Sequence, residues 1–171
     1  MPTIRPATRD DAPLLLRLIQ EAFQTVYDRL GLTPENFKHH ASGFGPPWVL
    51  EQMDAGNRFF VLEDRGEAVG CVALKPEEGG AVQIRRLAVL PAHRGKGYGR
   101  MLVDHVLAEA RRLGVRRVTL GMWADDLPLR QWYERLGFTV TETRTQPDLP
   151  LAVTHMALDF GLGVSPVGPR P

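Results

Sequence analysis

The stretch LAVLPAHRGKGYGRMLV, residues 87–103, places glycine at positions 95, 97 and 99 and cations at Arg94, Lys96 and Arg100. It begins as an apolar strand and ends as the start of a helix. Such a turn leaves main-chain N–H groups without partners at the helix N-terminus, where the helix dipole adds positive potential. Phosphate binds there readily, and glycine lets the backbone approach a ligand closely because no Cβ intervenes. Two common phosphate motifs do not fit. A P-loop needs Lys-Ser or Lys-Thr after a glycine, and none follows here. A dinucleotide fingerprint needs glycine where Arg100 stands, in a parallel βαβ setting, whereas an antiparallel meander is predicted before this turn. An ordinary tight strand-to-helix connection is the competing reading.

Other reactive residue types are sparse. The lone Cys71 excludes an intramolecular disulfide and suits a reducing compartment. It stands within the apolar run AVGCVALK, which suits a small buried hydrophobe better than a nucleophile. The five histidines share no metal-ligand spacing with one another or with Cys71, so no metal site is expected.

The elements that must hold these residues follow from periodicity. TIRPA reads as a first strand. Thr8 and Asp11 form a capping box before a helix with apolar residues at Leu15, Ile19, Ala22, Phe23, Val26 and Leu30, which Gly31 stops. Residues 32–57 are irregular, with a short helix predicted over 47–55. Strands over 59–64, 68–74 and 81–90 form the meander, its first hairpin turning at EDRGE. After the glycine turn comes a helix with Met101, Leu102, Val106, Ala110 and Leu113 on one face, ended by Gly114. VRRVTLGMW is a strand, LPLRQWYERLG a helix, and FTVTETR and LAVTHMALDF are the last two strands. The order β-α-α-β-β-β-α-β-α-β-β predicts one α/β domain over 1–160 with a mixed sheet. The proline- and glycine-rich residues 161–171 read as a disordered tail.

Arg94, Gly97 and Gly99 satisfy the pattern Arg-x-x-Gly-x-Gly, preceded by LAVLP and followed by a long amphipathic helix. This resembles the acetyl-CoA signature of the GCN5-related N-acetyltransferase (GNAT) superfamily. DDLPLRQWYERLGF resembles that family's second motif: Tyr133, Glu134, Gly137 and Phe138 match, while Asp126 replaces the usual asparagine and Leu129 the usual alanine. The likeness covers roughly residues 3–160. It implies a mixed, mostly antiparallel sheet of about seven strands with about four helices, splayed between the fourth and fifth strands.

The resemblance also implies roles. The main chain of Leu87, Ala88 and Val89 would pair with the pantetheine arm of coenzyme A, with the Val89 N–H placed to polarise the thioester carbonyl. The amides of Arg94, Gly95, Lys96, Gly97, Tyr98, Gly99 and Arg100 would wrap the pyrophosphate. The side chains of Lys96 and Arg100 are either solvated or reach the adenosine phosphate. Tyr133 matches the general acid near the sulfur. Asp126 would lie near pantetheine or substrate, or cap its helix. The strand glutamate that serves as base in many members is missing: AVQIRRLAV offers Gln83, Arg85 and Arg86. His39, His40 and His155 fall on the acceptor side by analogy, each also readable as an ordinary polar or packing residue. His93 beside the turn either assists phosphate binding or is simply exposed, and His105 is expected on a solvated helix face. Phe37, Phe44, Trp48 and Trp123 form either an apolar acceptor wall or core.

Composition bounds the function. Lys and Arg total 21 against 20 Asp and Glu, a net charge of +1. This argues against nucleic acid and against an acidic membrane surface. No hydrophobic leader opens the chain and no apolar run nears the ~20 residues of a membrane span, so the cytoplasm is the expected compartment. The expected activity is acetyl-CoA-dependent transfer to a primary amine of a small molecule, amino acid or peptide. A homodimer would follow the family's habit. The alternative is a non-catalytic acyl-CoA-binding module on the same fold.

Overall fold

A computed structural model describes residues 1–161; beyond Gly161, the segment read as a tail lies outside the described residues. Seven strands form one sheet in the order β1-β2-β3-β4-β5-β7-β6. They are β1 (Thr3–Pro6), β2 (Arg58–Asp64), β3 (Glu67–Glu77), β4 (Ala81–Val89), β5 (Arg117–Trp123), β6 (Thr139–Arg144) and β7 (Val153–Asp159). Four α-helices join them: α1 (Ala12–Leu30), α2 (Pro46–Asp54), α3 (Tyr98–Arg112) and α4 (Leu127–Arg135). Only β4 and β5 run parallel; the other pairs are antiparallel. The expected sheet and helix count therefore hold. Element ends differ by up to three residues, most at β3, whose second hairpin extends pairing to Glu77 opposite Ala81.

The central strands are apolar on both faces because helices cover both. On one face α1 and α2 bury Leu15, Leu18 and Ile19 against Phe59, Val61, Cys71 and Ala73. On the other, α3 and α4 bury Leu102, Val106 and Tyr133 against Phe60, Leu62, Val72 and Leu120. Consecutive residues such as Phe59 and Phe60 thus enter different cores, which is why RFFVL reads as an unbroken apolar run. Gly31 ends α1 in the left-handed conformation, φ 69°. At the start of α1 the Asp11 carboxylate accepts the Thr8 N–H at 2.8 Å.

Strand β4 carries a bulge. Cys71 faces Ala88 while Ala73 faces Arg85, so Arg86 and Leu87 together oppose Val72. Arg86 takes φ 52°, a left-handed conformation uncommon outside glycine. The inserted residue reverses the side-chain alternation. Val82 and Ile84 enter the α3 core, whereas Ala88 and Leu90 enter the α1 core. On β3, Gly70 admits the bulged strand closely, since a Cβ there would stand 2.7 Å from the Ala88 carbonyl oxygen.

Candidate active site

Strands β4 and β5 pair only from Ala81 to Gln83, opposite Arg117 to Thr119. Beyond that point they part, and the β5-facing edge of β4 runs unpaired to its end. The Leu90 N–H donates to the Val69 carbonyl on the β3 side. By strand alternation the neighbouring Val89 N–H faces the gap. The Val89 carbonyl accepts the Arg94 Nε–H at 3.1 Å, which leaves the N–H as the open group.

The glycine turn follows directly. Gly95 and Gly97 have φ 76° and 84°, and the Cβ side of each is open. Gly97 caps α3, and the first recorded main-chain bond of that helix end is Met101 N–H to the Gly97 carbonyl. The N–H groups of residues 95–100 therefore have no main-chain or side-chain acceptor among the described residues. Six free donors at the positive end of a fifteen-residue helix make a place where an anion is favoured. The Arg94 N–H is outside this set, because it closes a 3-10 turn onto the Pro91 carbonyl at 3.3 Å.

The side chains of the turn have other work. The Arg94 guanidinium donates to the Thr25 hydroxyl at 2.8 Å and the Ala22 carbonyl at 2.7 Å, fastening the turn to α1. The Tyr98 hydroxyl donates to Asp64 at 2.5 Å. Arg100 pairs at 3.5 Å with Asp104, one helical turn on. Gly99 lies under the Trp132 ring, 3.5 Å from its would-be Cβ, so α4 can approach α3.

Tyr133 sits on α4 with its ring between Trp132 and Phe138. It is 6% exposed, and burial holds its hydroxyl pKa above the ordinary tyrosine value. No described residue hydrogen-bonds its oxygen, which is nevertheless not sealed from solvent. It is a neutral phenol with an unengaged proton.

Asp126 is only 3% exposed. Its two oxygens accept a forked pair from Arg29 at 3.0 and 2.9 Å, and one accepts the Leu129 N–H at 3.3 Å. The carboxylate therefore caps α4 and ties it to the end of α1. No sequence signal pointed to Arg29.

The histidines divide differently from expectation. His40 is not an ordinary polar loop residue. It is buried, its ring tilted against Tyr27 with centroids 4.1 Å apart, and its Nδ1 bonds the Ser42 hydroxyl. His105 is not on a solvated face: its ring meets the Phe60 edge at 4.7 Å, and burial lowers its pKa. His155 faces Gly121 across β5 and β7 and lies over the space that glycine leaves. Burial pushes the Cys71 thiol up to about 12, consistent with a core role. Among the described residues, no three His, Cys, Asp or Glu side chains are placed to hold a metal ion.

The α1–α2 face holds what sequence reading missed. Phe44 and Trp48 stack at 4.4 Å, and Phe37 meets Trp123 edge-on at 5.2 Å. The Arg86 guanidinium lies 4.8 Å from the Trp48 ring, 5.8 Å from Phe44 and 5.9 Å from Phe23. It has no side-chain hydrogen bond and no carboxylate partner among the described residues. Burial, then the adjacent Arg85, lower its pKa to about 10. Each cation–π contact contributes roughly 0.5–2 kcal/mol. The only sequence signal was a pair of arginines inside an apolar strand.

The profile of the Acetyltransferase (GNAT) family matches residues 15–138. An uncharacterized N-acetyltransferase of Schizosaccharomyces pombe is 29% identical over 162 residues, covering 91% of this chain and 90% of that protein. The uncharacterized N-acetyltransferase YjgM of Escherichia coli is 29% identical over 140 residues, covering 80% and 81%. In fold, the chain is similar to the PaiA N-acetyltransferase of Thermoplasma acidophilum solved with coenzyme A. The TM-score is 0.79 at 16% identity, over 94% of this chain and 99% of that one.

Proposed function

Since the chain belongs to the acetyltransferase (GNAT) family and is an acetyl-CoA-dependent N-acetyltransferase, we propose that it acetylates a primary amine of a small molecule, amino acid or peptide in a ternary complex. The observation that carries this reading is the run of six free N–H donors at residues 95–100, continuous with the unpaired edge of β4. This arrangement fits a pyrophosphate followed by an extended amide-bearing arm. Acetyl-CoA supplies an acyl group on a thioester.

The chain's own residues then act in turn. The amides of residues 95–100 hold the diphosphate, and the edge of Leu87, Ala88 and Val89 orients the arm. The Val89 N–H polarises the thioester carbonyl as the amine attacks. The new bond is N–C and the broken bond is C–S. Tyr133 donates its proton to the departing thiolate and recovers one from solvent. The amine attacks in its neutral form, its ammonium having given one proton to water, and the second proton leaves the nitrogen through water once the N–C bond has formed, because β4 carries Gln83, Arg85 and Arg86 and no carboxylate. Asp126 acts on this site by positioning α4, and so Tyr133.

Thiol release from acetyl-CoA across an amine panel tests the reading. Release with at least one amine class supports it. The bare β4 favours one second reading, a non-catalytic acyl-CoA-binding module. Thermal stabilisation by acetyl-CoA with no thiol release from any amine would establish that alternative.

A further inference from the structure

The acetyl-transfer reading leaves the acceptor's chemistry open, and the α1–α2 face bears on it. The cofactor cradle lies at the N-terminus of α3, so the diphosphate approaches from the α3 side of the sheet. The acceptor then reaches the gap between β4 and β5 from the opposite face, where α1 and α2 pack. On that face Arg86 stands directly before Leu87.

We propose that the Arg86 guanidinium, caged by Phe23, Phe44 and Trp48 with no carboxylate against it among the described residues, is the subsite that receives a carboxylate of the acceptor. The acceptor class is thus the amino acids, with the amine on a short spacer from a carboxylate. The inference rests on the acetyl-transfer reading for the side from which the acceptor arrives.

Three independent observations converge. First, Arg86 is half-buried yet unpaired, whereas Arg5, Arg29, Arg58 and Arg117 each meet a carboxylate. A desolvated cation lacking an anion is costly, and a ligand carboxylate would remove that cost. Second, Arg85 stands beside it and bonds only Gln83, at 3.1 Å. The nearby Glu77 is engaged with the Thr119 hydroxyl at 2.9 Å. Glu77 keeps its negative charge there and acts on Arg85, whereas the charged neighbour that acts most on Arg86 is the cation Arg85. Third, the three rings lie 4.8–5.9 Å from the guanidinium carbon, while its N–H groups donate to no described residue and stay open for a forked pair. A purely structural cation would need none of this openness.

The test uses the full chain saturated with coenzyme A, with calorimetric titration of the twenty N-acetyl amino acids and their matched amides. At least one acid should bind about tenfold or more tightly than its amide, the size expected of a charge-assisted forked pair. Arg86→Met should erase that preference, and Arg86→Lys should keep part of it. The comparison of acid with amide on the unaltered protein does not depend on any variant folding. Equal binding of acids and amides, no binding of any acid, or a preference that survives Arg86→Met would overturn the subsite. Thiol release from acetyl-CoA with the free amino acids separates the two readings. Acids that bind without release leave the subsite standing and sink transfer. Release on amines with no preference for acids does the reverse.

Discussion

The two sides of the β4–β5 gap are built by different means. On the α3 side the open groups are main chain: the Val89 N–H and the six donors of residues 95–100. The side chains there, Arg94 and Tyr98, hold the turn in place. On the α1–α2 side the notable groups are side chains: the Arg86 guanidinium against Trp48 and Phe44, with Phe37 packed on Trp123. A backbone site accepts many side-chain changes at its exposed positions and few changes of conformation. A side-chain site behaves the opposite way. One fold can therefore keep one cofactor while its acceptor face varies.

Four outcomes would break or sharpen that contrast. The largest is Tyr133→Phe, expected to cut turnover by about 10²–10⁴-fold, the usual weight of general acid catalysis, with coenzyme A affinity unchanged. The pH profile belongs with it. A general acid works while protonated, and burial raises the Tyr133 pKa above the ordinary value. Turnover should rise as the amine deprotonates and show no alkaline loss up to about pH 10. An alkaline limb near pH 8 would remove Tyr133 from the role.

Next is a paired comparison by titration of coenzyme A. Gly97→Ala disturbs a left-handed position that orients the cradle, and should weaken binding about tenfold, or 1.4 kcal/mol. The double change Lys96→Ala and Arg100→Ala removes only exposed charge and should cost less than about 1 kcal/mol. The reverse order would mean that side chains hold the diphosphate.

Smaller effects fall on stability. Asp126→Ala removes the cap of α4 and its tie to α1, which should cost about 1–2 kcal/mol in chemical denaturation. Slower turnover should accompany it, because Tyr133 rides on α4. Last comes the start of α1. The forked hydrogen bonds from Arg5 hold the Asp11 carboxyl at about 2, below its ordinary value. A lowered carboxyl pKa stabilises the fold above its unfolded value and loses that contribution as pH falls toward 2. Asp11→Asn should therefore flatten the loss of stability between about pH 4 and pH 2 by roughly 1 kcal/mol.

The glycine turn was legible because its backbone conformation needs particular residues locally. Glycine at 95 and 97 reflects left-handed φ, and glycine at 99 reflects the approach of Trp132. The meander of β2, β3 and β4 was legible in its three strand runs and the turn residues of EDRGE, which are local signals. The acceptor half was not legible because its geometry depends on distant contacts. Nothing local in QIRRLAVL reports that a bulge turns Arg86 into a cage made by α1 and α2. Nor does DDLPL report that Arg29, 97 positions upstream, takes both oxygens of Asp126. His105 was misread for a similar reason: its helix spacing suggests solvent, but β2 supplies Phe60 against it.

The contrast between a main-chain cofactor site and a side-chain acceptor site can be tested in one titration. Coenzyme A is added to ¹⁵N-labelled protein and the backbone amides are followed by NMR. The largest shifts should fall on the N–H groups of residues 95–100 and on Val89, with Trp48 and Phe44 little moved. Shifts centred on the α1–α2 face, with the amides of residues 95–100 unmoved, would contradict the account.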